Sequence, residues 1–361
     1  IASAFLHSQT VGRLYRGIIE NLDKDKFEIV IFRASVKRDE MADAIDAAAA
    51  KVVALDLGSL NAARKQIAAE EPDVLFYPDI GMTTLTFFLA FARLAPVQCV
   101  SWGHGVTTGI PNLDYFISSR YLEPPGAEDH YSENLVRLDG FPMYSLAPGL
   151  PRNLPGRAHY GLPEGVALYL CPHTLFKFHP DFDRTLGALL ERDADGRLVL
   201  ITDGFGGAWE NKLMERFRAA FGAAAERVIF LPRQVESDFH GLLALADAII
   251  DVPHFTGGYT SQEAFAFGAP IVSWPGEFMR GRVTCAFYRK IGIEDLICGN
   301  EKEFIETAYR LAHDKPWRDD LSARIREKSA VLFEDPGVVR EMEDFFAWAL
   351  EKAEEGFFPL N

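Results

Sequence analysis

The 361-residue chain carries little positive charge and few cysteines. Its 37 Lys and Arg residues stand against 52 Asp and Glu, which gives a formal net charge of −15. This balance argues against nucleic acid or an anionic membrane as a partner, because binding to phosphate-rich surfaces requires basic protein surface. Any phosphate site must therefore be local. The four cysteines lie far apart in apolar runs, so we interpret them as reduced core residues of a cytoplasmic protein.

The sequence also lacks a membrane-length apolar run, a recognisable signal peptide and an internal repeat. Neither a Ser-His-Asp nor a Cys-His nucleophile pattern is visible in it. The Asp-x-Asp at 193–195 lies at the amino end of a predicted strand and is interpreted as a solvated turn, so no metal site is predicted. Because the chain begins at Ile1 rather than at a methionine, we expect an upstream segment.

Short β-branched and aromatic runs alternate with amphipathic segments, a pattern typical of parallel sheets that are covered by helices on both faces. The predicted strands are 27–32, 51–55, 74–78, 97–102, 115–118, 167–171, 198–202, 228–232, 248–252 and 271–274. The predicted helices include 10–22, 60–71, 83–94, 208–221, 237–247 and 336–355.

A proline-rich break at 147–157 is interpreted as a linker between two Rossmann-like domains, 1–147 and 157–335. Two such domains would leave a ligand cleft at the carboxyl ends of their sheets. The last part of the chain, 336–361, contains an amphipathic helix, which we expect to pack back on the N-terminal domain because its apolar face needs a partner.

The stretch HFTGGYTSQEAFAFGAP (254–270) places two glycines between a predicted strand and a predicted helix. A helix that opens on glycine presents unpaired amides and a positive dipole end, which suit a phosphate. Glu263, one turn into the helix, is placed for a ribose diol. A plain glycine turn with a Thr or Ser cap is the alternative interpretation. The candidate phosphate-binding residues are Gly257, Gly258, Tyr259, Thr260 and Ser261.

Two further strand-end loops carry candidate catalytic side chains. Lys177 follows the strand 167–171 by six residues and can neutralise a leaving diphosphate, although a solvated surface lysine is the alternative. His104 lies in the glycine-rich loop after the strand 97–102 and can orient a substrate or move a proton near neutral pH. A structural histidine is the alternative there.

Several runs, in a fixed order over residues 5 to 350, together resemble a known family. They are DVLFYPDIGM, LAPVQCVSWGHGVTTGIPNLDYFISS, YSENLVRLDG, LYLCPHTLFKFHPDFD, LADAIIDVPHFTGGYTSQEAFAFGAPIVSWPGEFMRGR and IGIEDLI. The family is that of the O-GlcNAc-transferase-like glycosyltransferases of family 41, and the bacterial branch with the cytoplasmic N-glucosyltransferases looks closest.

The resemblance implies a GT-B fold of two Rossmann-like domains, a nucleotide-sugar donor bound by the C-terminal half, and inverting, metal-independent transfer to a protein side chain. It matches Lys177 to the lysine that contacts the donor diphosphate and the GGYTS run with Glu263 to the phosphate and ribose loop. It matches 232–239 to the segment that holds the base. The remaining donor-binding candidates that it implies are Thr174, Gln234, Glu236 and Phe239.

The chain departs from the family pattern at several positions. Where the family often has a histidine before the Val-Gly of the first helix, this chain has Gln9, with His7 two residues earlier as the candidate catalytic histidine. His104 matches the histidine of the bacterial GHP-TT loop. The other departures are His173 and Thr174 for an Asn or Gln, Tyr259 for a Thr or Asn, and Gly105 for a proline.

The sequence therefore favours a glycosyltransferase that moves a sugar from a UDP-sugar to a bacterial protein, without a metal or other cofactor. One alternative is an enzyme that uses a CMP-nonulosonate, as in flagellin modification. A second alternative is a non-catalytic module that binds a nucleotide or a partner protein. The resemblance implies a protein or peptide acceptor, and a tetratricopeptide region upstream of this chain would fit the family.

Overall fold

The computed structural model describes residues 1–149, 154–202 and 207–356. The chain divides into two structural units. One unit is Ile1–Leu146 together with Phe333–Asn361, and the other is Ala147–Leu332. Among the described residues, no helix is both long and apolar enough to cross a bilayer.

Strands and helices alternate along much of the described chain. In chain order, the first unit forms β1 (Ala2–Ser3), α1 (Thr10–Asn21), β2 (Val30–Arg33), α2 (Glu40–Ala48), β3 (Lys51–Ala54), α3 (Leu60–Ala68), β4 (Val74–Tyr77), α4 (Thr84–Leu89), β5 (Val97–Ser101), β6 (Tyr115–Ser119) and β7 (Asn134–Leu138). The second unit forms β8 (Leu168–Cys171), α5 (Pro180–Arg192), β9 (Arg197–Ile201), α6 (Ala208–Phe221), β10 (Val228–Leu231), α7 (Glu236–Leu245), β11 (Ala248–Ile250), α8 (Tyr259–Ala266), β12 (Ile271–Val272), α9 (Val283–Ile291), α10 (Glu301–His313) and α11 (Lys315–Lys328). The final helix, α12 (Pro336–Glu354), belongs to the first unit.

The first unit contains two parallel sheets, with the spatial orders β1-β2-β3 and β4-β5-β6-β7. Every residue of β5 and β6 is buried, as expected for strands covered on both faces. β1 and β4 are linked just beyond their ends, where Ser3 Oγ donates to Asp79 Oδ2 at 2.5 Å. The carboxyl ends of parallel strands lie at the same edge of a sheet, so the loops after β4 and β5 lie together, and the Ser3–Asp79 bond places the end of β1 beside the end of β4.

The second unit contains one parallel sheet with the order β10-β9-β8-β11-β12. β8 lies at its centre, and all four of its residues are buried. β11 pairs directly with β8, with Ile249 opposite Leu170. Because the two strands are parallel neighbours, the loops that leave their carboxyl ends must lie side by side.

The apolar face of α12 packs within the first unit. The ring of Phe346 lies 6.1 Å from the ring of Phe76 in β4, and Phe345 lies 5.3 Å from Tyr115 in β6. The buried carboxylate of Glu343 accepts a hydrogen bond of 2.7 Å from the amide of Asp23, which follows α1. Apolar contacts and a long-range hydrogen bond therefore both hold this helix in place.

The ten predicted strands are confirmed, with ends that differ by one to three residues. Two strands were not predicted: β1 is only two residues long, and β7 is only partly buried and includes polar residues. The predicted helix 60–71 ends at Ala68, and soon after it Glu71 adopts a left-handed φ of 45°. Of the predicted linker, residues 150–153 lie outside the described residues, and 147–149 and 154–156 form neither helix nor strand.

Candidate active site

Lys177 lies directly after the central strand of the second unit, in a 3₁₀ turn that spans Leu175–Lys177. Its amide donates to the carbonyl oxygen of Thr174 at 3.0 Å, and its Nζ lies 4.0 Å above the ring of Phe255, a cation–π contact. Burial lowers the pKa of this lysine to about 8, while the nearby carboxylate of Asp251 acts in the opposite direction. The site thus holds a partly desolvated cation that a bound anion would stabilise.

Asp251 follows β11 and organises the loop that faces Lys177. The side chain is fully buried, and its Oδ1 accepts a hydrogen bond of 3.0 Å from the amide of Gly257, while its Oδ2 accepts one of 2.6 Å from Ser273 Oγ. Nε2 of the buried His173, from the loop after β8, lies 3.0 Å from the same carboxylate. One acidic side chain therefore contacts both of the loops that follow β8 and β11.

The glycine loop leads into α8 as the sequence predicts. A Cβ atom on Gly257 would lie 2.1 Å from Ser261 Oγ, so this position has no room for a side chain. At Gly258 an added Cβ would meet no described atom within 4 Å, which leaves open space above the start of the helix. Within the described residues, the amides of Gly258 and Thr260 donate to no acceptor. These two amides can bind an anion at the positive end of the helix dipole.

Two of the predicted donors in this loop are already engaged. The Gly257 amide donates to Asp251, and the hydroxyl of the buried Ser261 is bonded to Thr284 Oγ1 at 2.8 Å. Both residues are placed to support the loop. Their direct contact with a phosphate stays a prediction.

Glu263 is also held by a neighbour. Its Oε1 is paired with Nε2 of His240 at 2.9 Å, and both side chains are buried. His240 comes from α7 and packs against the ring of Phe267, with ring centroids 4.6 Å apart. His240 therefore fixes the orientation of the Glu263 carboxylate. The contact of Glu263 with a ribose stays a prediction.

The segment after β10 carries the remaining predicted donor-binding residues. Gln234 Nε2 donates to the carbonyl oxygen of Pro232, Glu236 begins α7, and Phe239 lies one turn later beside His240. Gln234 and Phe239 are half-buried, and Glu236 is exposed. The loops after β8, β10 and β11 thus lie at the same edge of one sheet, which is where the sequence predicts a donor site.

The two predicted catalytic histidines lie in the first unit. His104 is in the loop after β5, where a Cβ atom on Gly81 would come within 2.7 Å of its ring, so Gly81 is needed for this close approach. His7 lies in the loop after β1, and its Nδ1 is 3.9 Å from Asp39 Oδ2. Burial lowers the pKa of His7, with Asp39 opposing the effect. Gln9 caps α1 by accepting from the amide of Val11 at 2.8 Å.

Three buried polar residues of these sites were not among the predicted ones. Asp251 and His240 orient the glycine loop and Glu263, and Asp79, after β4, has a pKa raised to about 7 by burial. The sequence did contain a pattern that could have indicated Asp251 and Asp79, namely an acidic residue that directly follows an apolar run, as in AIID and LFYPD. His240 had no signal, because its role depends on a contact between two helices.

A family model described as "Glycosyl transferase family 41" matches residues 151–337, just over half of the chain. The chain belongs to glycosyl transferase family 41. This confirms the resemblance that the sequence motifs suggested. The match covers all of the loops described above in the second unit.

Relatives of this family 41 chain include proteins of plants. It is 28% identical over 258 residues, 69% of this chain and 26% of the relative, to the probable UDP-N-acetylglucosamine–peptide N-acetylglucosaminyltransferase SEC of Arabidopsis thaliana. A second relative is the probable UDP-N-acetylglucosamine–peptide N-acetylglucosaminyltransferase SPINDLY of Solanum lycopersicum. The two sequences are 28% identical over 240 residues, which are 65% of this chain and 25% of the relative. The chain spans about a quarter of the length of these curated relatives.

Among solved structures, a mutant of the O-GlcNAc transferase of Thermobaculum terrenum matches 98% of this chain and 68% of its own, with a TM-score of 0.84 and 25% identity. The sucrose-phosphate synthase of Thermosynechococcus elongatus matches 93% of this chain and 92% of its own, with a TM-score of 0.61 and 13% identity, which is a likeness of fold alone. The family 41 chain therefore has the α/β fold of the GT-B class, as predicted.

Proposed function

We propose that this chain transfers a sugar from a UDP-sugar to a side chain of a protein or peptide. The observation that carries the proposal is that Lys177 and the open end of α8 follow two neighbouring strands of one sheet. The ammonium group over Phe255 and the amides of Gly258 and Thr260 lie on neighbouring loops and offer positive charge and donors to a diphosphate. The plant relatives, whose names specify UDP-N-acetylglucosamine and a peptide, support this choice of donor and acceptor.

In the proposed reaction, the acceptor displaces UDP from the anomeric carbon in one step, with inversion. The bond from that carbon to the diphosphate oxygen breaks, and the leaving oxygen gains negative charge. Lys177 and the first-turn amides of α8 stabilise that charge, so no metal ion is needed for this role. Glu263 would hold the ribose, while the segment 232–239 would hold the base. His104 and His7 are the candidates for the group that accepts the proton of the acceptor.

Calorimetric titration of the chain with UDP, CMP and GDP tests the donor site. We expect UDP to bind most tightly, and Lys177→Ala to retain most of that affinity. Tighter binding of CMP would instead favour a CMP-nonulosonate donor. Failure of all three nucleotides to bind would favour a non-catalytic module.

Transfer itself is tested with UDP-N-acetylglucosamine and a peptide library that contains Ser, Thr and Asn acceptors, with detection of the added mass by mass spectrometry. The product should form in the presence of EDTA, and NMR should show the inverted anomeric configuration. Lys212→Ala is the matched control for Lys177→Ala, because Lys212 is exposed and also lies over an aromatic ring, that of Trp209 at 5.6 Å. Equal loss of transfer in both variants would contradict the assigned role of Lys177.

A further inference from the structure

Two segments of the second unit that are far apart in sequence bring three side chains together. His179 caps the start of α5, Asp181 lies two residues later, and His254 comes from the loop after β11. The rings of His179 and His254 are stacked, with centroids 4.3 Å apart and planes inclined by 24°. The pattern is invisible in the sequence because His254 is more than 70 residues from the other two, and only the pairing of β8 with β11 makes the loops neighbours.

The distances in this His179–Asp181–His254 cluster suit a single small cation. His179 Nδ1 lies 3.4 Å and His254 Nε2 lies 3.9 Å from Asp181 Oδ2, and one ligand atom of each residue lies within 4.8 Å of the other two. Zinc bonds to nitrogen and oxygen are about 2.0–2.2 Å long, so adjacent ligand atoms stand about 3–4 Å apart around the ion. Only small side-chain adjustments are therefore required.

The chemistry of the ligands points to a transition metal. Imidazole nitrogen binds zinc, copper, iron and nickel well, whereas magnesium and calcium prefer oxygen ligands. His179 Nδ1 lies 3.3 Å from the Asp181 amide and 3.4 Å from the Asp181 carboxylate, so a ring nitrogen of His179 already faces the cluster.

The cluster is accessible to an ion and to a further ligand. The side chains of His179, Asp181 and His254 are 49%, 75% and 43% exposed. Asp181 and His254 also line a cavity of about 460 Å³ together with Trp274 and Glu301. Three protein ligands leave at least one coordination position for water or another group.

We propose that His179, Asp181 and His254 bind one divalent transition-metal ion, with Zn²⁺ as its representative, and that the ion links the two loops of the donor site. His179 lies two residues after Lys177, and His254 directly precedes Phe255, the ring beneath the Lys177 ammonium group. The ion would therefore hold together the segments that carry Lys177 and the glycine loop. It takes no part in the sugar transfer proposed above.

The test is a calorimetric titration of the metal-stripped chain with Zn²⁺, without nucleotide. We expect one ion per chain. Either His254→Ala or His179→Ala should weaken binding by at least about tenfold, since loss of an outer-shell partner alone typically costs 10- to 100-fold. Asp181→Asn should weaken binding as well, and Mg²⁺ should not compete. Saturation with Zn²⁺ should also raise the melting temperature of the wild-type chain, because the ion binds only the folded site.

His159→Ala is the matched control, because His159 is an exposed histidine 3.2 Å from a carboxylate oxygen of Asp238 but belongs to no three-residue cluster. It should bind Zn²⁺ as the wild type does. No binding by the wild type, or undiminished binding by the double variant His179→Ala/His254→Ala, would overturn the proposal. Because the titration uses no nucleotide, a chain that binds Zn²⁺ but no UDP would contradict only the proposed function.

Discussion

The lowered pKa of Lys177 predicts a specific pH dependence of the reaction. With a pKa of about 8, most of the free chain carries the ammonium form at pH 7, but only about one tenth does so at pH 9. Since only the ammonium form can stabilise the leaving diphosphate, kcat/KM for the donor should fall about fifteenfold between pH 8 and pH 9.5. This quantity reports ionisations of the free enzyme, so it is the one to measure.

Substitution of Lys177 should remove both the rate and this pH dependence. Loss of one preorganised donor to developing charge costs on the order of 100- to 1000-fold, so Lys177→Ala should lose about that factor in kcat while binding UDP nearly normally. Lys177→Arg should recover little, because the planar guanidinium places its charge differently over the Phe255 ring. The residual kcat/KM of either variant should not fall between pH 8 and pH 9.5, because neither carries the lysine that titrates.

The result that would refute this reasoning is a wild-type kcat/KM that stays constant up to about pH 9.5. An unperturbed lysine titrates near 10.5, so a constant value would mean that Lys177 is solvated and not held in the partly buried position over Phe255. Wild-type transfer rates in Lys177→Ala, or a strict need for a divalent metal, would likewise assign the stabilising role to another group. The Lys212→Ala control should keep the wild-type pH profile.

Three further predictions concern buried side chains. Glu263→Ala should weaken UDP binding by about 1–3 kcal/mol, the value of a charge-assisted hydrogen bond, and unchanged affinity in calorimetry would contradict its ribose contact. Phe346→Ala should lower the free energy of unfolding in urea by about 3–5 kcal/mol, because the ring packs on Phe76, and a loss below about 1 kcal/mol would contradict the role of α12. The pKa of Asp79 is raised to about 7, so between about pH 4 and pH 7 this carboxyl group is protonated in the folded chain but ionised in the unfolded chain. The free energy of unfolding should therefore fall as pH rises through this range. Asp79→Asn can still accept a hydrogen bond from Ser3, so it should remove this fall and be more stable than the wild type at pH 8 by a few kcal/mol. If the variant and the wild type are equally stable at pH 5 and also at pH 8, the raised pKa of Asp79 is contradicted.

The fold was predictable because its determinants are local. Strands such as β8 and β11 are continuous apolar runs, a pattern typical of parallel sheets that are covered on both faces. β1 was missed since a two-residue strand has no period to detect. The turn at 193–195 was interpreted as solvated, but Asp193 is buried and is bonded to the hydroxyl of Tyr169 at 2.7 Å. A contact with a distant strand gives no sign in the local pattern.

The candidate site was predictable only in part, for a related reason. Lys177, Gly258 and Thr260 lie in or just after the loops that leave the carboxyl ends of predicted strands, so the sequence order alone places them at one edge of the sheet. The partners that orient this edge come from elsewhere: His240 reaches Glu263 from another helix, and His254 reaches His179 from another loop. Such pairs depend on which strands are neighbours, and a single sequence does not encode strand order in any local feature.

A buried carboxylate beside a predicted anion site needs a physical account. The charge of Asp251 repels a diphosphate, but its two oxygens accept from the Gly257 amide and Ser273 and thereby fix the glycine loop before any ligand arrives. Its charge also raises the pKa of Lys177, which burial alone would lower further. Only the ammonium form of Lys177 can stabilise the negative charge that the leaving diphosphate gains as the glycosidic bond breaks. Asp251 thus favours the ammonium form of Lys177, and the cost of its own negative charge is offset by the donors that surround it.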